Sequence, residues 1–171
     1  MHFNHANIIN LAERPFKDIN HMNESLIKNW NSRVKPDDYV FHIGDFCYKS
    51  SASGDYKKFV DRLNGKIIFI WGNHDKNNGI RTPILDVKIQ YGGVPLLLTH
   101  RPEDVGYFGG YLALCGHVHG LWKFQNVDFF ENSCDVCNVG VDVWNYHPIL
   151  INEITTEYEQ WRKLQPKRPK K

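Results

Sequence analysis

Four short apolar runs, each ending in a polar turn, constrain the fold of this chain more than any other feature of its sequence. They cover residues 41–45, 69–75, 97–100 and 114–119. Each begins with aliphatic or aromatic residues, as a buried strand does, and three of the four turns contain glycine. Ligand-binding groups in open α/β sheets collect beyond the carboxyl ends of the strands. We therefore expect four neighbouring strands whose ends bring one aspartate, one asparagine and four histidines to one rim.

The rest of the pattern predicts alternating helices and strands in the first half of the chain and mostly strands in the second. Asn23 is the expected N-cap of the first predicted helix. Helices are predicted over 24–34 and 55–63, with a last one marked by Ile154, Tyr158 and Trp161; strands are predicted over 39–43, 67–71, 86–90, 94–98, 111–115 and 136–143. This order favours an α/β sandwich of two mixed sheets over a doubly wound sheet.

Length and composition indicate one domain, over residues 1–164, followed by a basic tail over 165–171 that we expect to be disordered. The chain has 171 residues and a net charge of only +2, which argues against nucleic acid or a membrane surface as a partner. No apolar run approaches the ~20 residues of a membrane helix. The first residues show no secretory signal, and the four cysteines do not form a dense disulfide framework, so we expect a cytoplasmic protein.

The residues of the expected rim are the kinds of side chain that bind transition metals. They are Asp45, Asn73, His74, His100, His117 and His119. Imidazole and carboxylate suit zinc, manganese, iron or cobalt. His117 and His119 are two residues apart, so both point to the same side of an extended backbone. One carboxylate such as Asp45 can bridge two cations about 3.5–4 Å apart.

In their order along the chain, these motifs resemble those of the calcineurin-like metallophosphoesterase family. The matching stretches are Gly44-Asp45, Gly72-Asn73-His74-Asp75, a lone His100 and Gly116-His117-Val118-His119. Gly-Asp alone is weak evidence, whereas the two longer motifs with a histidine between them are strong evidence. The N-terminal His-Phe-x-His-x-Asn, followed by Arg-Pro-Phe, resembles a small prokaryotic or phage-type branch. The resemblance implies an α-β-β-α sandwich.

The resemblance also implies a role for each residue. Asp45 would bridge two divalent cations (manganese, iron or zinc); Asn73, His100 and His117 would complete one site, and His2 and His119 the other. A metal-activated hydroxide would attack the phosphorus of a small-molecule or nucleotide phosphate ester, either a monoester or a diester. His74 would contact the phosphate and protonate the leaving oxygen, with Asp75 orienting its ring.

The first motif of the family, Asp-x-His, is incomplete in this sequence. Its histidine aligns with His2, so its aspartate would fall just before Met1, and the strand that leads into it is absent. Because Asp45 is then the one carboxylate between two repelling cations, we expect the site of His2 and His119 to bind more weakly. We favour the interpretation that the natural protein is longer. The alternatives are a protein that binds one cation tightly and one loosely, and a protein that has lost catalysis. The α-amino group of Met1, when neutral, is a further candidate ligand.

Several other residues have two interpretations. Arg101 and His5 are candidates for substrate binding, but a surface arginine and a turn contact explain them equally well. The Cys134 and Cys137 pair, with the basic tail, suggests a zinc-stabilised nucleic-acid module, yet no second pair completes a tetrahedral site and packing is favoured. We interpret His21, His42 and His147 as packed core histidines. The alternative to an enzyme is a binding or scaffold protein of the same fold with a degenerate site.

Overall fold

Two sheets and four α-helices make up the part of the protein that the structure describes. The computed structural model describes residues 1–48, 56–106, 110–129 and 132–166. The helices are α1 (Ala6–Leu11), α2 (Ile19–Arg33), α3 (Lys57–Val60) and α4 (Ile151–Leu164); the strands are β1 (Tyr39–Ile43), β2 (Lys66–Ile70), β3 (Asp86–Tyr91), β4 (Val94–Thr99), β5 (Leu112–Cys115), β6 (Phe124–Phe129) and β7 (Asn132–Asn138). These elements confirm the predicted α/β sandwich.

The two sheets differ in size. β1 and β2 form a parallel pair, and the other five strands form a mixed sheet in the order β3-β4-β5-β7-β6. Its three central strands run parallel, and its two edge strands are antiparallel to their neighbours. Of these central strands, β4 and β5 read as mostly apolar runs because side chains on both of their faces are buried.

Apolar side chains pack in three layers around these sheets. Helices α1 and α2 cover one face of the small sheet, with Trp30 and Leu26 of α2 fully buried there. Ile43 and Ile70 of the small sheet, together with Ile154 of α4, pack on the inner face of the large sheet. A third layer covers the outer face of the large sheet. No helix within the described ranges is long and apolar enough to cross a bilayer.

Several predicted elements differ from those observed. α2 begins at Ile19 rather than at residue 24, because the Asp18 side chain accepts a hydrogen bond from the His21 amide and caps it; the Asn23 N-cap prediction is wrong. β7 ends at Asn138, and a short 3-10 helix over Val141–Val143 follows it where strand was predicted. β6 was not predicted. Residue 55 of the second predicted helix and residues 167–171 of the tail lie outside the described ranges.

The structure also decides between the alternative interpretations of the cysteine pair and tests those of two histidines. Cys134 and Cys137 are buried on opposite faces of β7, so their thiols cannot converge on one zinc ion, and packing is the correct interpretation. His42 is buried against the rings of Phe46 and Phe69, as expected for a core residue. His21 is exposed, so its assignment to the core was wrong.

The four polar-ended runs meet at one rim, but they belong to two sheets rather than to one. The first two lead out of β1 and β2, and the last two lead out of β4 and β5. The His100 side chain joins the sheets at this rim. Its ring Nδ1 lies 3.0 Å from the Ile43 carbonyl oxygen, and its Nε2 lies 3.0 Å from Oδ1 of Asn73.

One edge of β1 faces a groove. Among the strands that the structure describes, β1 pairs only with β2, and its other edge looks towards Val139, Pro148 and Ile149. The N-terminal residues run parallel to the chain just beyond β1: the His2 amide donates to the Asp45 carbonyl at 3.0 Å, and Phe3 pairs with Cys47. Met1 and His2 therefore line this groove together with β1.

Candidate metal centre

The Asp45 carboxylate is the centre of a cluster of imidazoles. Its Oδ2 lies 3.4 Å from Nε2 of His100, 3.7 Å from Nε2 of His2 and 4.0 Å from Nε2 of His74. Asp45 is only 3% exposed. Burial raises the pKa of its carboxyl, but the neighbouring His100 and His2 outweigh this and lower the pKa overall. The carboxylate is therefore ionised throughout the physiological range and can attract cations.

One potential metal site lies between Asp45, Asn73, His100 and His117. The ligand atoms of Asp45, His100 and His117 all lie within 4.8 Å of one another, and Oδ1 of Asn73 is 3.0 Å from Nε2 of His100. Because the His100 Nδ1 can donate to the Ile43 carbonyl, its Nε2 is directed at two oxygens. Burial lowers the pKa of His100, but Asp45, the Ile43 carbonyl and Asp75 together raise it by more. The group offers two oxygens and two imidazole nitrogens, a donor set that fits a cation.

A second potential site lies on the other side of the same carboxylate. Ligand atoms of His2, Asp45 and His74 also lie within 4.8 Å of one another, and the ring of His119 is centred 4.8 Å from that of His2. His2 is buried, and its Nδ1 has no hydrogen-bond partner within the described part of the chain. Burial, reinforced by the nearby α-amino group, lowers the pKa of His2, so the ring is neutral and able to bind metal.

Four of these residues have an unusual backbone conformation. His2, Asp45, His117 and His119 have φ angles of +62°, +56°, +66° and +48°. Residues other than glycine seldom adopt this region, and those that do are concentrated at functional sites. The backbone is thus bent at the positions that present ligand atoms.

Two glycines allow the ligand-bearing turns to touch. A Cβ on Gly44, whose φ is +74°, would lie 2.7 Å from the Gly72 Cα, and a Cβ on Gly72 would collide with the Asp45 amide. Any side chain at either position would separate the turns. This close approach is what the glycines of the two sequence motifs provide.

Asp75 has a different role from the one predicted for it. No hydrogen bond among the described residues links its carboxylate to the His74 ring. Its Oδ2 instead accepts from the amides of Asp45 (3.0 Å) and Gly72 (2.9 Å), and its Oδ1 from the amide of Phe46 (3.2 Å) and from Asn78 (2.8 Å). This fully buried carboxylate joins the two turns, so it is a positioning residue rather than a catalytic one.

Replacing Asp75 by asparagine should therefore destabilise the fold. Each carboxylate oxygen accepts hydrogen bonds from two N–H groups. In asparagine, an NH₂ group replaces one of these oxygens and would face two N–H donors without an acceptor. We expect a loss of at least about 3 kcal/mol in the free energy of unfolding, measured with urea on metal-free protein. The exposed carboxylate of Asp61 provides the control, and Asp61→Asn should leave stability within about 0.5 kcal/mol. Equal effects of the two substitutions would contradict this account.

The two candidate substrate-binding residues lie near the cluster. The His5 ring stacks on Tyr48 with ring centres 4.1 Å apart, and it is centred 6.0 Å from the His74 ring. Arg101 follows His100 and lies close enough to His117 to contribute to the lowering of its pKa, after burial and the neighbouring His100. The Arg101 Nε is buried without a hydrogen-bond partner in the described residues. Substrate binding by either residue stays a prediction.

Three residues at the site were not predicted. Arg14 and Asp142 form a buried ion pair, with Nε to Oδ1 at 2.8 Å, and Oδ2 of Asp142 lies 3.9 Å from Nδ1 of His119. Asn138, fully buried, donates to the His119 carbonyl at 2.6 Å.

The α-amino group of Met1 is 3.4 Å from the Asp45 carbonyl, and burial together with Arg14 lowers its pKa to about 6. Metal ligation by this amine stays a prediction.

Asp142 should make stability depend on pH in acid. Burial raises the pKa of this carboxyl, but His119 and Arg14 outweigh it and lower the pKa to about 2, below the value of about 3.9 in an unfolded chain. The ion pair therefore stabilises fully above about pH 4, and this contribution is lost as the pH falls towards 2. We expect the stability difference between wild type and Asp142→Asn to shrink by about 2 kcal/mol from pH 5 to pH 2. Parallel urea-derived pH curves would contradict the assignment.

The sequence matches a family model and a related protein along nearly its whole length. A family model described as calcineurin-like phosphoesterase matches residues 1–170. An uncharacterised protein of Methanocaldococcus jannaschii is 36% identical over 162 residues, which cover 93% of this chain and 88% of the relative.

Solved structures also match the chain. A protein of unknown function from Aquifex aeolicus superposes with a TM-score of 0.67 at 24% identity, covering 91% of this chain and 94% of its own. An archaeal phosphodiesterase gives a TM-score of 0.43 at 21% identity over 70% of this chain and 75% of its own, a likeness too remote to argue from. Because the family model spans nearly the whole sequence, the chain belongs to the calcineurin-like phosphoesterase family.

Proposed function

We propose that this protein hydrolyses phosphate monoesters or diesters with the help of two divalent cations. The observation that carries the proposal is the pair of ligand groups that share the Asp45 carboxylate, one with His100 and His117 and one with His2 and His74. Family membership supports phosphoesterase chemistry in general. Manganese, iron and zinc all suit the donor set of imidazoles, carboxylate and amide oxygen.

The residues of the chain have separate tasks in this proposal. Asp45, Asn73, His100 and His117 would hold one cation, and Asp45, His2 and His119 the other. When bound, such a pair of cations acidifies the attacking water and stabilises the charge that develops on the phosphoryl oxygens. The protein contributes the bent backbone of the ligands and the fixed orientation of His100, both of which exist before substrate arrives.

His74 is the proposed proton donor to the leaving oxygen. Its side chain is 36% exposed, whereas those of His2 and His100 are nearly covered, so a substrate can reach it from solvent. Its amide donates to the Asp45 Oδ1 at 2.9 Å, which fixes its backbone beside the bridging carboxylate. The rings of His5 and Tyr48 flank it, with Tyr48 centred 5.8 Å away. A leaving group would therefore depart past two aromatic rings.

The test is hydrolysis of p-nitrophenyl phosphate and bis-p-nitrophenyl phosphate by purified protein with added manganese. We expect turnover that requires the metal and is abolished by a chelator. Asp135→Asn is the matched control, because Asp135 is a buried carboxylate that bonds with Tyr158 and Asn126 in the far part of the large sheet. It should keep activity. Absence of turnover in manganese-loaded protein would overturn the proposal in favour of a binding or scaffold protein.

A further inference from the structure

A buried ion pair between residues 128 positions apart lies directly behind the second group of ligands. Arg14 and Asp142 meet in a two-pronged contact, with Nε to Oδ1 at 2.8 Å and Nη2 to Oδ2 at 3.0 Å. Both side chains are at most 5% exposed. A planar guanidinium paired in this way fixes the carboxylate in angle as well as in distance.

The ion pair controls one side of the His119 ring. Oδ2 of Asp142 lies 3.9 Å from Nδ1 of His119, close enough for electrostatic attraction, although longer than a formed hydrogen bond. A carboxylate on that side favours the tautomer with hydrogen on Nδ1, which leaves Nε2 free to bind a cation. Asn138 fixes the backbone of the same residue through its carbonyl.

The same ion pair reaches His2 through the backbone. Nη1 of Arg14 donates to the Met1 carbonyl oxygen at 3.0 Å, so the peptide group that precedes His2 is held by the guanidinium. The rings of His2 and His119 are centred 4.8 Å apart. The contacts of His100 with Ile43, Asn73 and Asp45 involve neither Arg14 nor Asp142.

We propose that Arg14 and Asp142 are positioning residues for the second cation, which hold His2 and His119 as a pair. The inference rests on the proposed function only in requiring two bound cations. The ion pair determines how tightly the His2 and His119 site binds its cation. Cation binding at the site of Asn73, His100 and His117 does not depend on that pair.

The test is titration of metal-free protein with Mn²⁺, followed by calorimetry and by equilibrium dialysis to count bound ions. Asp142→Asn should weaken the second Mn²⁺ about 10–100-fold and leave the first unchanged. Asp142→Glu, which can still pair with Arg14, should recover part of the loss. Asp135→Asn, the control with a buried carboxylate away from the site, should bind both ions as the wild type does. If Asp142→Asn fails to fold, Arg14→Lys serves instead, because lysine keeps the charge but loses the two-pronged grip.

Three outcomes would overturn the inference: wild-type protein that binds fewer than two Mn²⁺ ions, a folded Asp142→Asn variant with both affinities unchanged, or a parallel loss at both sites. Because ion counting needs no substrate, it separates this inference from the proposed function. Two Mn²⁺ ions bound with selective weakening in Asp142→Asn would support the ion pair's role even if no phosphate ester were hydrolysed.

Discussion

Replacing Asp45 by asparagine should remove hydrolysis and weaken the binding of both cations. We expect turnover of bis-p-nitrophenyl phosphate to fall by about 10³-fold or more, because the charge that holds two repelling cations together is lost. Mn²⁺ affinity should fall by about 100-fold or more at both sites, since both ligand groups include this carboxylate. Calorimetric titration and the hydrolysis assay measure the two effects.

The asparagine variant should fold. Asparagine tolerates the φ of +56° found at this position, and its side-chain oxygen can still accept the hydrogen bond of the His74 amide. Urea unfolding of metal-free protein should therefore place it within about 1–2 kcal/mol of wild type. Mn²⁺ binding and turnover close to wild type in this folded variant would refute the assignment of Asp45 as the shared ligand.

Replacing His74 by glutamine should separate proton transfer from metal binding. If His74 donates a proton to the leaving oxygen, turnover should fall about 10²–10⁴-fold while two Mn²⁺ ions remain bound. The loss should be larger for phenyl phosphate than for p-nitrophenyl phosphate, because the poorer leaving group needs the proton more.

The structure makes this experiment informative. Nε2 of His74 lies 4.0 Å from the Asp45 Oδ2 and belongs to the same group of potential ligands as His2. A variant that binds one Mn²⁺ fewer would therefore identify His74 as a ligand rather than as a proton donor. His147→Gln provides the control, because His147 lies outside the ligand groups, and it should keep both properties.

The sequence predicted the strands and the rim well, because local patterns determine both. Residues 39–43 form β1 as predicted, and the hairpin over 86–90 and 94–98 lies within one residue of β3 and β4. Glycine beside an ionisable residue at the end of an apolar run marks a strand end that approaches another backbone closely. The ends of the four apolar runs were predicted to bring Asp45, Asn73, His100 and His117 to one rim, and these residues do lie close together.

The missed features depend on contacts between distant parts of the chain. Asp142 follows a glycine and a valine and resembles any turn residue, and only the fold brings it to Arg14. The role of Asp75 was misassigned because adjacency to His74 in sequence suggested contact, whereas its carboxylate points at four N–H donors of the neighbouring turns. The sequence motif drew attention to Asp75, but only the hydrogen bonds of its carboxylate show that it joins neighbouring turns.

The long separation between Arg14 and Asp142 sets the order in which a growing polypeptide can complete its centre. During synthesis the N-terminal residues leave the ribosome first, yet their anchor is made only after residue 142 has emerged. Until then His2 lacks the ion pair behind it, although its neighbour His119 has already emerged. Any pocket for the proposed second cation that depends on this ion pair is therefore complete only once residue 142 has left the ribosome.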